Sequence, residues 1–152
     1  MAKDIRTIKL DEGLGDVKFG ADRASVKLIL GTPDEVDLQE NSEEEEDKTE
    51  TFHYDDLEIS LSFDEIDDWM LTSIATSSTE AVLGGKHLIG LRKEDFLKEA
   101  EGMDLGDKHE EDVSEDMGEN SWLISFEESG INFWFEDEVL SEIQWTKIWD
   151  EE

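Results

Sequence analysis

Cysteine is missing altogether from the 152 residues, proline occurs once, and lysine and arginine number only 13 against 44 acids. The first absence excludes disulfides and thiolate metal ligands. No run of apolar residues approaches the roughly 18 that a membrane-crossing helix needs. The opening Met1-Ala2-Lys3-Asp4-Ile5-Arg6 has no apolar leader segment behind it. A cytoplasmic location is the resulting expectation. The shortage of bases leaves a net charge of −31, which argues against nucleic acid, because binding there depends on cations that neutralise phosphates. The same charge disfavours an anionic membrane surface. Its natural complement is a positively charged protein partner, and adaptation to a saline medium is the other reading.

Catalytic patterns are also missing. The three histidines, His53, His87 and His109, fall in different sections without metal-ligand spacing. There is no HExxH, no phosphate-cradling P-loop and no G-x-S-x-G elbow. Asp64-Glu65-Ile66-Asp67-Asp68 offers hard oxygen ligands, yet it lacks the glycine-centred loop of an EF-hand. The chain is therefore read as non-enzymatic, with no catalytic residues, no cofactor and no specific metal site.

What is present is enough to fold. Five Trp and seven Phe supply a core that a disordered acidic chain would not have. Two acid-rich tracts, 37–50 and 104–119, each hold eight acids and one lysine, so together they carry 14 of the 31 net negative charges. Both are expected to be loops.

These tracts divide the chain into matching sections. Phe19-Gly20-Ala21-Asp22-Arg23-Ala24-Ser25-Val26 aligns with Ile89-Gly90-Leu91-Arg92-Lys93-Glu94-Asp95-Phe96. Each opens a short helical pattern, with Val26, Ile29 and Leu30 on one face in the first and Phe96, Leu97 and Ala100 in the second. Gly31 before Thr32-Pro33, and Gly102, serve as stops. Past each acidic tract the apolar residues alternate, as Ile59, Leu61, Phe63 and as Ile131, Phe133, Phe135, the period of a strand with one buried face. A further strand recurs at Leu71-Thr72-Ser73-Ile74 and Leu140-Ser141-Glu142-Ile143.

The predicted fold is α+β: two tandem repeats, 1–76 and 77–152, each a helix and a three-stranded meander. Fused, they would make one antiparallel sheet of six strands with both helices on one face. The link from Thr76 to Lys86, with Gly84-Gly85, suits a turn or crossover. The other face would stay open, as antiparallel sheets permit.

Alternation places His53, Ser60, Ser62, Asn132, Trp134 and Gln144 on that open face. Trp134 is the informative one, because a tryptophan among polar residues is a plausible anchor for a partner. The covering alternatives are a loop, the C-terminal segment around Trp149, or self-association. Trp69, beside Asp67 and Asp68 in the longer first hairpin, is a further candidate contact or a lid on the core.

The stretch from Lys18-Phe19-Gly20-Ala21-Asp22 to Leu30-Gly31-Thr32-Pro33-Asp34 resembles the helix region of β-lactamase-inhibitor-protein-like domains. It is similar too to the small outer-membrane-assembly lipoproteins that share the half-domain. The second section departs from the motif, with Glu101-Gly102 and no proline. The disulfides of the inhibitors and the N-terminal cysteine of the lipoproteins are missing as well. The resemblance implies a fold and a habit of binding proteins through the sheet face, without naming a target. The combined expectation is a protein-interaction module, inhibitor or immunity-like in its most concrete form. A carboxylate-rich cation-binding protein or small enzyme is the alternative.

Overall fold

The structure, a computed structural model, describes residues 6–10, 12–40, 48–103, 105–112 and 121–147. Three very short strands come first, β1 (Ile8–Lys9), β2 (Gly13–Leu14) and β3 (Val17–Lys18). Helix α1 (Arg23–Leu30) is followed by β4 (Glu35–Glu40), β5 (Lys48–Tyr54), β6 (Ile59–Asp64) and β7 (Met70–Thr76). Helix α2 (Lys93–Glu101) is followed by β8 (His109–Asp112), β9 (Ser121–Phe126), β10 (Ile131–Glu136) and β11 (Val139–Thr146). The eight long-sheet strands lie in the order β4-β5-β6-β7-β11-β10-β9-β8, all antiparallel, and β1–β3 form a separate small sheet.

The fold is thus mixed α and β with a mainly antiparallel sheet, but two expectations are corrected. The sheet has eight strands rather than six, because the acidic tracts are not simply loops. Residues 37–40 and 48–50 lie in the β4–β5 hairpin, and 109–112 form β8 against β9. Edge strands tolerate this composition, since charge on an edge also discourages pairing with another chain. The acid run Glu43–Asp47 and residues 113–119 lie outside the described residues. The small N-terminal sheet has no counterpart in the expected architecture.

Local chemistry explains the elements. Asp22 caps α1 by accepting from the Ser25 backbone N–H at 2.7 Å. Gly31 ends the helix at φ 88, a backbone that favours glycine, and its N–H reaches the Lys27 carbonyl. Gly20 and Gly90 adopt φ 91 and 97, and each leads its helix off the sheet in the same way. The Gly20 N–H bonds to Leu71 O at 3.0 Å and that of Gly90 to Leu140 O at 2.9 Å.

Register puts the apolar set on one face. Phe52 pairs with Leu61, Leu61 with Ile74, Ile74 with Trp145, and Trp145 with Ile131. Phe133, Phe135, Ile124 and Ile143 join them, all essentially buried. Helix α2 contributes Phe96, whose ring lies 4.5 Å from Phe133 and 5.2 Å from Phe135. Helix α1 contributes Val26 and lays Lys27 over the Phe52 ring. Helices of eight and nine residues reach only ~12–14 Å, whereas eight strands span ~34 Å. The central strands therefore need another cover. Leu14 and Val17 of the small sheet and Ala81, Leu83, Leu88 and Ile89 are buried in the same core, and the Trp145 indole donates to Gly13 O at 3.0 Å. Truncating Phe133 to alanine would cost about 3–5 kcal/mol.

Candidate functional site

The face of the sheet away from the helices carries the polar side chains. One row crosses all eight strands: Glu35, His53, Ser60, Ala75, Gln144, Asn132, Ser125 and His109 are successive partners. Four expected contact residues, His53, Ser60, Asn132 and Gln144, thus stand in line. Ser62 lies in the next row toward one end, between Thr51 and Ser73, and Trp134 lies between Leu123 and Glu142. The fold brings these six to one surface. Trp69 is separate. It packs against the core, and the Arg23 guanidinium of α1 sits over its ring at 4.5 Å. It belongs to the helix side and takes the role of a lid. Trp149 lies outside the described residues.

The two ends of this front face differ in chemistry. Around β5 and β6 the polar groups satisfy one another. Thr51 and Ser62 hydroxyls are 3.0 Å apart, His53 Nδ1 is 2.8 Å from Ser60 Oγ, and Thr49 and Thr72 hydroxyls donate to Asp64 at 2.6 and 2.7 Å. Gln144 joins the set by donating to Ser73 Oγ at 3.3 Å.

Around β10 and β11 the surface opens into clefts. A cleft of about 280 Å³ is lined by Trp134, Phe135, Glu136, Glu142 and the serines 77, 121 and 141. A second cleft of about 190 Å³ adjoins it, sharing Ser77 and Glu142 and adding Asp55 and Glu58. Together they make an acid-lined groove running from β10 across β11 and β7 toward β6. The Trp134 indole N–H is buried and has no acceptor, a state that costs about 1–3 kcal/mol. Burial, reinforced by the nearby Glu136 charge, raises the Glu142 carboxyl above its ordinary value. Among the described residues, no lysine, arginine or histidine forms an ion pair with Glu136 or Glu142. The site can accept a positive charge and offers an aromatic surface for it, a combination suited to ammonium or guanidinium groups.

Glu142 and Glu136 were not among the contact residues expected from sequence. In a regular strand, Leu140 and Ile143 cannot share a face, because they are three residues apart. A register shift between Trp134 and Phe135, with Phe135 opposite Leu140 and Trp134 opposite Glu142, resolves this. Alternation from Ile143 and Trp145 already turns Glu142 to the front with Gln144, while the bulge takes up Ser141, which donates to Trp134 O at 3.1 Å, and returns Leu140 to the core. The signal for Glu142 was therefore the same alternation that placed Gln144. No family model, no curated protein and no solved structure matches this chain.

Proposed function

We propose that the chain is a non-enzymatic protein-interaction module that docks a positively charged segment of another protein on the front face. The groove at Trp134, Glu136 and Glu142 would be its anchoring point. The observation that carries this reading is the half-buried Glu142 carboxylate, held beside a second acid and an unpartnered indole, with no ion pair to a lysine, arginine or histidine among the described residues. Burying such a group is unfavourable unless something compensates it. An arginine or lysine side chain lying across Trp134 would neutralise the acids.

The module would be two tandem copies of one helix-plus-strands unit, meeting at β7 and β11. Three correspondences support this duplication. Gly20 and Gly90 make the same bond to Leu71 and Leu140. Register shifts fall at Ser62/Phe63 and at Trp134/Phe135. The hydroxyls in the two bulges, Thr72 and Ser141, each reach back to the carbonyl before the shift, weakly at 3.5 Å and at 3.1 Å. Kinship with β-lactamase-inhibitor-protein-like domains remains part of this proposal and rests on the Lys18–Asp34 motif. An inhibitor or immunity-like role, in which the acidic face occludes a basic surface, is the form we favour. The long-range field of a −31 chain would mainly speed association with such a partner.

Calorimetric titration with a tetra-arginine peptide tests the reading. Saturable one-to-one binding is expected, with a tetra-glutamate peptide inert. Equal binding by Glu142→Lys would remove the groove from the account.

A further inference from the structure

We propose that Glu35, Asp37 and His53 form a three-ligand site for a divalent cation of the zinc class, at the outer edge of the front face. The inference is independent of the groove and arises from the strand that the first acidic tract forms. Glu35 and Asp37 are two apart on β4, so both point to the front. His53 is directly opposite Glu35 on β5 and diagonal to Asp37. One ligand atom from each of the three falls within a sphere of mutual distances no greater than 4.8 Å. The closest pair, His53 Nε2 and Asp37 Oδ2, is 2.7 Å apart.

Ligands bound to zinc at about 2.0–2.2 Å lie roughly 3–3.5 Å from one another. Reaching that arrangement requires the His53–Asp37 contact to open by about half an ångström and Glu35 to swing inward. Glu35 and Asp37 are exposed, so both can move without disturbing the core. The imidazole is already held, because its Nδ1 is 2.8 Å from Ser60 Oγ. With Nδ1–H donating to that hydroxyl, the Nε2 lone pair faces the two carboxylates, the arrangement that outer-shell partners impose on metal-bound histidine.

Charge and ligand type both select the ion. Two carboxylates balance a dication, and among the described residues no lysine or arginine pairs with either. One imidazole nitrogen favours zinc and its transition-metal neighbours over Ca²⁺ and Mg²⁺, which prefer shells of oxygen. The remaining coordination positions face solvent.

The test is calorimetric titration of zinc chloride into the full chain at neutral pH and physiological ionic strength. One saturable equivalent is expected, resistant to the same concentration of Ca²⁺. Both His53→Ala and Asp37→Asn should weaken it at least about tenfold. His109→Ala, at the opposite end of the same row, should leave it unchanged. Nuclear magnetic resonance should show the His53 imidazole signals shifting first, with those of His87 and His109 unmoved. Weak uptake of many equivalents common to all variants would overturn the proposal. So would a single tight equivalent that survives both substitutions, or its displacement by equimolar Ca²⁺.

Discussion

Ser62 and Trp134 occupy matching places in the sheet, each just before a register shift and each flanked on both sides by a paired strand. Ser62 sits between Thr51 and Ser73 and is hydrogen-bonded, whereas Trp134 sits between Leu123 and Glu142 with its N–H unpaired. The same backbone therefore carries a closed hydroxyl ladder at one end and an open acid-and-aromatic groove at the other. Topology fixes where side chains point, and the residues placed there decide whether the surface is a paired ladder or an open groove.

Charge reversal should break this contrast most strongly. Glu142→Lys is expected to weaken tetra-arginine binding by about 30-fold or more, near 2 kcal/mol, while Ser62→Ala changes it less than about twofold. Calorimetry on both variants measures the difference. A comparable loss from Ser62→Ala would move the binding surface to the other end.

Salt should act next. Raising ionic strength from about 0.05 to 0.5 M shortens the screening length from ~14 to ~4 Å, so peptide affinity should fall by about tenfold. Over the same range the protein itself should melt at a higher temperature, because self-repulsion of a −31 chain is relieved. Binding insensitive to salt would contradict the electrostatic part of the reading.

Proton linkage sharpens the comparison further. The folded-state value of Glu142 is raised by burial and by Glu136, so the folded protein holds this proton at pH values where the unfolded chain has released it. Through that window stability falls as pH rises. Glu142→Gln should therefore melt above the wild type at neutral pH, with the advantage disappearing in acid, as thermal melts across pH would record. A docked cation favours the carboxylate, so peptide binding should release a proton and tighten as pH rises through the same window.

The smallest effect belongs to the closed end. Thr51→Ala or Ser62→Ala should cost about 0.5–1.5 kcal/mol in denaturant unfolding, with no change in the groove.

Alternation alone made the core face legible. Ile59, Leu61 and Phe63, and likewise Ile131, Phe133 and Phe135, are buried as their spacing predicts. The glycine-led helices at Gly20 and Gly90 were equally readable, because few residues other than glycine accept their backbone. The edge strands were not. Glu35–Glu40 and His109–Asp112 carry almost no burial pattern, and pairing on one side only lets polar residues form a strand without an apolar signature. That strand in turn joined Glu35 and Asp37 to His53 across a hairpin, a proximity with no sequence spacing to betray it. Trp69, read as either a contact or a lid on the core, packs against the core for a local reason. Its hairpin turns through left-handed backbone at Asp68 and Trp69, which folds the ring under Arg23 instead of presenting it at a tip.

The indole N–H resonance of Trp134 reports most directly on whether the groove receives a cationic segment. Titrating tetra-arginine into ¹⁵N-labelled protein should move that cross-peak saturably, while those of Trp69, Trp122 and Trp145 stay in place and Glu142→Lys abolishes the shift. A Trp134 signal that does not move, or one that moves equally in the Glu142→Lys protein, would contradict the account.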